Sequence, residues 1–202
     1  MSEADDFERC LRSGGLAVFP ADTVYGLACD PENPRAVQRL YALKRRSLEQ
    51  PCAVMFFDPA VALAALSELG PRTLAALAHL LPGGVTILIA NPAGRFPLAC
   101  GNDPATLGVR VPVVASCGGV RVAALQSSAN HAGGADPCRL SDVPESIRAA
   151  ADLLIDGGEL PGTSSTIVDL RHYEDSGRWS VLRAGAVAAP ELDLALGVAP
   201  PG

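Results

Sequence analysis

The sequence predicts an α/β (α+β) fold, in which a twisted, open, mixed sheet is flanked by helices. Short apolar runs typical of buried strands recur along the chain, and helical patterns with clear start signals lie between them. Hydrophobic residues make up 49% of the 202 residues, which is enough for a core, whereas aromatic residues make up only 4%. The core must therefore consist mainly of Ala, Val, Leu and Ile.

The first half of the chain alternates between helix and strand. A helix is expected over residues 3–13, because two glycines follow it, and a buried strand is expected over residues 16–20. Asn33 and Pro34 start a second helix, as a capping residue and a first-turn proline, and this helix ends in a basic triplet at 44–46. The other predicted elements are strands over 53–57 and 85–90, and two Ala/Leu-rich helices after Asp58-Pro59 and Gly70-Pro71.

The second half of the chain is richer in strand patterns. The predicted strands cover residues 107–113, 123–127, 153–156, 166–170 and 179–183, with one helix over residues 142–151. Nothing in the sequence marks a second domain. We therefore expect one domain over residues 1–188, followed by a loose C-terminal tail over 189–202 that is rich in Ala, Pro and Gly.

The acidic balance of the chain limits its partners. The net charge is −6 and the isoelectric point is about 5.0, so the chain as a whole repels a phosphate backbone. A broad nucleic-acid-binding face is therefore not expected, whereas a local basic pocket for a small anion is compatible with this charge.

No sequence feature indicates a membrane, an export signal or a metal site. No run of 18 apolar residues occurs, and the acidic N-terminus has no apolar segment, so we expect a cytoplasmic protein without membrane contact. The six cysteines form no C-x-x-C pair and match no zinc spacing. They are expected to be reduced thiols, and no protein-held metal is predicted.

The basic triplet Lys44-Arg45-Arg46 is the first candidate for chemistry. Cations in a last helical turn are expected in any case, because they complement the helix dipole. Lys44, however, lies on the apolar face of the helix, where a cation needs an anion such as a phosphate. The chain has no G-x-x-x-x-G-K-[ST], G-x-G-x-x-G or G-x-S-x-G pattern, so any phosphate would be bound by scattered basic and hydroxyl groups.

Further polar candidates lie in or near predicted strands. Arg110 interrupts an apolar strand, and it must pair with a carboxylate either of the protein or of a ligand. Ser128 and Asn130 follow an apolar strand, Thr23 precedes a turn, and Arg183 ends the last strand. Each of these four also has an ordinary explanation as a turn, cap or solvated strand end.

Seven segments, in order along the chain, resemble the YrdC/Sua5 family of threonylcarbamoyl-AMP synthases: FPADTVYGLACDP, LYALKRR, LPGGVTILI, LGVRVP, SSAN, SSTIVDL and VLRAGAV. The K-x-R and S-x-N elements, the family's signature pair, correspond here to Lys44/Arg46 and Ser128/Asn130. The chain resembles the short form of the family, without the extra C-terminal domain.

The resemblance implies a YrdC-like fold with a large concave basic cavity. It also implies a nucleotidyltransferase that converts L-threonine, bicarbonate and ATP into threonylcarbamoyl-AMP and pyrophosphate, for t6A modification of tRNA. Partner proteins would transfer the product, with weak or no direct tRNA binding by this chain, and Mg²⁺ would accompany ATP on its phosphate oxygens. The implied residues are Lys44 and Arg46 for catalysis; Arg46, Gln50, Thr106, Ser128, Asn130, Asp136 and Arg183 for ATP; and Thr23, Arg110 and Ser165 for threonine.

Three positions depart from the family's pattern. Ser47 replaces a frequent Pro, Gln50 replaces Asn or Lys, and Met55 replaces a threonine-contacting His of some members, which leaves room for a changed amino-acid preference. The alternative is an RNA-binding or ribosome-assembly module of the same fold without ATP turnover. A carbamoyl-transfer domain like those of hydrogenase maturation proteins is disfavoured, because its acylphosphatase-like region and Cys-rich zinc motifs are absent from the sequence.

Overall fold

The computed structural model describes residues 2–114 and 117–197. Within them, the strands are β1 (Ala17–Pro20), β2 (Tyr25–Cys29), β3 (Ala53–Met55), β4 (Val85–Ala90), β5 (Thr106–Arg110), β6 (Ala124–Ser128), β7 (Leu153–Leu154), β8 (Thr166–Asp169) and β9 (Ser180–Arg183). The helices are α1 (Glu3–Arg12), α2 (Pro34–Lys44), α3 (Pro59–Ala65), α4 (Pro71–Leu80), α5 (Glu145–Arg148), α6 (Tyr173–Ser176) and α7 (Ala189–Leu196).

The strands form one mixed sheet in the order β7-β1-β2-β6-β3-β5-β4-β8-β9. The pairs β1–β7, β3–β5 and β4–β8 are parallel, and the other neighbours are antiparallel. The predicted mixed sheet with flanking helices is therefore confirmed.

The two faces of the sheet are covered differently. Side chains alternate between the faces along each strand. Val18 and Val54 belong to the large core beneath α2, α3 and α4, whereas Phe19 and Met55 belong to a smaller cluster beneath α1. Phe7 of α1 packs on Phe19 with ring centroids 4.9 Å apart. Because α1 covers only one part of its face, the neighbouring part of the sheet is left open.

Helix starts follow the signals in the sequence. The Asn33 side chain accepts hydrogen bonds from the main-chain nitrogens of Arg35 and Ala36, at 3.1 and 3.2 Å, and Pro34 opens the helix. α2 ends at Lys44, because Arg45 takes the left-handed conformation with φ of 53°. Because the backbone reverses at Arg45, the side chains of Lys44 and Arg46 point in different directions.

Several predicted boundaries differ from the structure. Strand β2 was not predicted, and only a turn after Thr23 was expected. Gly26 and the preceding polar residues weaken the strand pattern of this segment. The helix expected over 142–151 shrinks to α5, because Pro144 starts a new helix after a short 3₁₀ turn at Leu140–Asp142. The strand expected over 153–156 is shorter in the structure, where only Leu153–Leu154 (β7) pair with β1.

The predicted loose tail is wrong over residues 189–196, which form α7. The side chain of Leu192 is completely buried in the main core, so this segment is held by packing. Residues 198–202 of that predicted tail lie outside the described residues. None of the helices in the described part of the chain is both long and apolar enough to cross a membrane.

Candidate functional site

The open part of the sheet face contains a cavity of about 520 Å³. Its floor includes Ala53, Gly108 and Leu88, which lie in one row because Gly108 pairs with Ala53 on β3 and with Leu88 on β4. At Gly108 no side chain rises from the floor, which is therefore flat and apolar. The volume falls within the range of small-molecule and cofactor sites.

Charged groups surround this floor. The described lining contains the arginines Arg46, Arg110, Arg171 and Arg183, and the carboxylates Asp103 and Asp136. Arg110 and Arg171 are each paired with a carboxylate, Asp22 and Asp169, whereas Arg46 and Arg183 have no ion-pair partner in the described residues. Guanidinium groups without a paired carboxylate favour anionic ligands.

Most of the eleven site residues predicted from the sequence meet at this cavity. Eight of them line it: Thr23, Arg46, Thr106, Arg110, Ser128, Asp136, Ser165 and Arg183. The remaining three are Lys44 and Asn130, which are buried behind the lining, and Gln50, which is exposed. Met55, the position with a possible effect on specificity, is fully buried under α1.

Arg110 stands at one end of the cavity beside the turn that joins β1 and β2. Its Nη2 donates to Asp22 Oδ1 at 2.6 Å, and more weakly to the Ala21 carbonyl at 3.3 Å and Thr23 Oγ1 at 3.4 Å. Burial lowers the pKa of Arg110 and raises the pKa of Asp22, because desolvation outweighs the attraction within the pair. Of the two partners expected for Arg110, a carboxylate of the protein or one of a ligand, the protein carboxylate is present as Asp22.

Arg110 nevertheless keeps capacity for a ligand. Its protein contacts use Nη2, whereas Nη1 makes no hydrogen bond in the described residues and is not enclosed; Nε is buried without a partner. A guanidinium can hold two oxygens at once, so a carboxylate in the cavity could bind beside Asp22.

Ser165 and Arg183 are fixed to each other at the same end of the cavity. Thr86 Oγ1 and Ser165 Oγ are hydrogen-bonded at 2.8 Å, and Arg183 Nη2 donates to the Ser165 carbonyl at 2.8 Å. Arg183 reaches this position because β9 pairs with β8, where Ile167 lies opposite Arg183. Two hydroxyls and two guanidiniums therefore converge here.

Lys44 is a buried cross-link behind the cavity. Its Nζ donates to the main-chain oxygen of Ser128, and to the main-chain oxygen and Oδ1 of Asn130 at 2.8 and 3.0 Å. These three bonds use the full donor capacity of the ammonium group. Burial lowers the pKa of Lys44 to about 8. Lys44 thus positions the loop after β6.

Arg46 turns in the opposite sense, toward the cavity. Its Nη1 donates to Ser127 Oγ at 3.2 Å, and its Nη2 donates to the Pro51 carbonyl at 2.5 Å. The guanidinium carbon also lies 5.9 Å from the centre of the Tyr41 ring. Arg45, between the two, is exposed, as the sequence predicted.

The loop after β6 joins Asn130 to the carboxylate of Asp136. Ser128 Oγ donates to Asn130 Oδ1 at 2.8 Å, and Asn130 Nδ2 donates to Asp136 Oδ1 at 3.2 Å. Ser164 Oγ donates to the other oxygen of Asp136. This chain of bonds connects Lys44 with the cavity wall, so the two signature motifs form one network.

Several residues of the site were not predicted. Asp22, Thr86, Gln126 and Arg171 line or support the cavity, although Asp22 and Thr86 lie inside segments that carry the resemblance. Asp22 could have been suspected from the need of Arg110 for a partner. The others depend on strand register, which the sequence does not display. In the described residues no cluster of three or more His, Cys, Asp or Glu side chains could hold a metal ion.

The fold and the site together define an α/β protein with an arginine-lined cavity on one face of its sheet. A family profile described as "Telomere recombination", which covers the Sua5, YciO and YrdC proteins, matches residues 9–185. The chain therefore belongs to this family.

Individual relatives agree with this membership. The chain is 34% identical, over 175 residues, to the threonylcarbamoyl-AMP synthase of Chromohalobacter salexigens. This alignment covers 84% of this chain and 93% of that protein. The crystal structure of Pyrococcus abyssi Sua5 complexed with L-threonine has a TM-score of 0.83 at 24% identity, covering 98% of this chain and 58% of that one. The crystal structure of Escherichia coli YciO has a TM-score of 0.77 at 21% identity, covering 94% and 92%.

Proposed function

We propose that the protein makes threonylcarbamoyl-AMP and pyrophosphate from L-threonine, bicarbonate and ATP, as a nucleotidyltransferase. The observation that carries this proposal is that one cavity of about 520 Å³ holds both predicted sets of residues, one for an amino acid and one for a nucleotide. The similarity to a curated synthase over 84% of the chain supports the same reaction.

The reaction requires positive charge and positioning more than a covalent nucleophile. The threonine amine and bicarbonate first form the N–C bond of a carbamate with loss of water, and a carbamate oxygen then attacks the α-phosphorus of ATP. The bond from that phosphorus to the leaving oxygen breaks, and pyrophosphate departs with the electron pair. Both reactants are anions, so arginines around an apolar floor would lower their repulsion and align them.

Threonine is assigned to the end of the cavity with Arg110. The unpaired Nη1 of Arg110 would contribute to binding the threonine carboxylate beside Asp22. The hydroxyls of Thr23 and Ser165, both buried at this end, would complete the amino-acid site.

ATP is assigned to the side of the cavity with Arg46 and Ser128, and Arg183 would approach the nucleotide from the threonine end, where it is fixed to Ser165. The fork of Arg46 is already held in place by Ser127 and Pro51, so it is preorganised for phosphate oxygens. Mg²⁺ would enter with ATP and be held mainly by phosphate oxygens, where Asp103 or Asp136 could add a carboxylate oxygen.

The product would serve the t6A modification of tRNA through proteins that accept the adenylate. Direct binding of tRNA by this chain is expected to be weak, because the net charge is −6. We place the reaction in the cytoplasm, where tRNA and ATP are available.

The test is pyrophosphate release that depends on both threonine and bicarbonate. Arg46→Asn should lower kcat/KM for ATP by about 100-fold or more, because a preorganised phosphate contact is lost. Arg45→Asn is the matched control: Arg45 is exposed and Asn tolerates its left-handed conformation, so activity should be retained.

Two results would contradict the proposal. If the unaltered protein releases no pyrophosphate in response to threonine and bicarbonate, the reaction is wrong. Binding of RNA with a steep dependence on salt, together with no ATP turnover, would instead favour an RNA-binding module.

A further inference from the structure

Gln126 is a buried polar residue in the middle of β6. Only 5% of its surface is exposed, and its side chain lines the cavity. No hydrogen bond joins its side-chain amide to any residue within 2–114 and 117–197. Its amide atoms are not fully enclosed, so they are accessible from the cavity. The amide of Gln126 is therefore available for a group that the protein itself does not provide.

The strand register places Gln126 between the two ends of the cavity. Gln126 pairs with Ala53, which pairs in turn with Gly108, so these three residues form the middle row of the floor. Arg110 lies two residues further along β5 in one direction, and Ser128 lies two residues along β6 in the other. The Cα atom of Gln126 thus lies between the row of the amino-acid end and the row of the nucleotide side, and its side chain leans toward the row of Ser128.

The glycine opposite Ser128 makes room for the Gln126 amide. A Cβ atom at Gly26 would lie 2.8 Å from Gln126 Nε2, so the side chain extends over this glycine. A larger residue at position 26 would displace the amide. Because β2 and β3 lie on opposite sides of β6, the amide lies at the β2 edge of the cavity, beside the floor formed by Ala53 and Gly108.

We propose that the Gln126 amide hydrogen-bonds the carbamoyl group at the junction of the two substrates. This inference rests on the proposed function. The amide NH₂ would donate to the carbamate oxygen that does not attack phosphorus, and so hold the attacking oxygen in line. Gln126 gains and loses no proton: one carbamate oxygen forms the bond to the α-phosphorus, and pyrophosphate leaves. A neutral donor suits this place, because a carboxylate there would repel both anions.

The main experiment compares Gln126→Met with Gln38→Met. Methionine keeps the length of the side chain without its hydrogen bonds, and Gln38 is exposed on α2. We expect Gln126→Met to lower kcat for pyrophosphate release by about tenfold to 100-fold, with KM for threonine and ATP within about threefold of the unaltered value. Gln38→Met should retain full activity.

A second variant, Gln126→Glu, gives a signature that a purely structural role would not produce. Its carboxylate should reduce kcat further at neutral pH, and kcat relative to the unaltered protein should recover as the pH falls and the buried carboxyl regains its proton. Urea unfolding of each variant verifies the fold, and Gln126→Asn, whose amide lies one methylene short, should also lose rate.

The outcomes separate this inference from the proposed function. Equal kcat values for Gln126→Met and Gln38→Met would overturn the inference while pyrophosphate release by the unaltered protein still supported the reaction. If Gln126→Met fails to fold, full activity of Gln126→Asn would overturn it equally. Absence of threonine- and bicarbonate-dependent release in the unaltered protein would refute the function itself.

Discussion

Two cations only one residue apart have different surroundings in this protein. Lys44 is the last residue of α2 and is buried against the loop after β6, whereas Arg46 lies beyond a left-handed residue and lines the cavity. The sequence was sufficient to identify both residues and to expect that Arg45 is exposed. It could not reveal that the ammonium of Lys44 is fully bonded to oxygens of the protein, because that depends on where β6 ends.

The environment of Lys44 predicts a fall in kcat/KM as the pH rises through about 8, the value to which burial lowers its pKa. The neutral amine has one donor fewer, so it can no longer hold all three oxygens of the Ser128–Asn130 loop. A pH–rate profile measures this, and Lys44→Gln, which is neutral throughout, should lack that limb. The same limb in Lys44→Gln would show that another group titrates.

Stability should respond to this group in the opposite direction. Lys44 in the unfolded chain has the ordinary pKa of 10.5, above the folded value of about 8. Between these two values the unfolded state binds more protons, so the contribution of Lys44 to the free energy of unfolding increases with pH. Below both values, its desolvation penalty is fully present. Lost activity above pH 8 would therefore not reflect unfolding caused by Lys44.

At the scale of elements, strands and helices with strong signals were predictable and weak ones were not. The capped helix α2 and the apolar strand β4 appear where the sequence placed them. Strand β2 was missed, because its buried position on both faces comes from tertiary packing rather than from alternation. Helix α7 was missed for a related reason: its composition is that of a tail, and only its contact with the core makes it stable.

Helix α7 provides a matched pair of leucines that tests its role. Leu192 is completely buried and Leu194 is 90% exposed on the same helix. Leu192→Ala should lower the free energy of unfolding by about 2–5 kcal/mol, because it leaves a cavity in the core. Leu194→Ala should change the free energy of unfolding by less than about 0.5 kcal/mol. Urea denaturation measures both, and equal effects would mean that α7 is not packed as described.

At the scale of the whole molecule, four arginines line the cavity where the sheet is uncovered, and two of them are paired with carboxylates. Eight of the eleven predicted site residues line it, and six of these eight belong to the segments that occur in a fixed order; Thr106 and Asp136 lie outside those segments. Asp22 and Thr86 lie inside such segments without having been singled out, and Gln126 lies outside them; all three join the site through strand pairing and the turn between β1 and β2. Sequence motifs therefore identify the residues that relatives share, whereas strand register determines which further residues line the cavity.

A single cavity with two ends predicts additive stabilisation by the two substrates. Threonine, or a non-hydrolysable ATP analogue with Mg²⁺, at about 100 times its Kd should raise the free energy of unfolding by about 2.7 kcal/mol, and both together by more. Thermal unfolding at fixed protein concentration measures this. Arg46→Asn should abolish the shift from the nucleotide and retain the shift from threonine. Loss of both shifts would contradict the assignment of separate ends.

The cavity has its walls at widely separated points of the chain. Thr23 comes from the turn after the first strand and Arg183 from the last strand, and the remaining lining comes from strands and loops between them. A chain emerging from the ribosome therefore cannot close this space until residue 183 is available to pair β9 with β8. Partly synthesised chains would consequently be unable to bind nucleotide, and the cavity would become complete only near the end of synthesis.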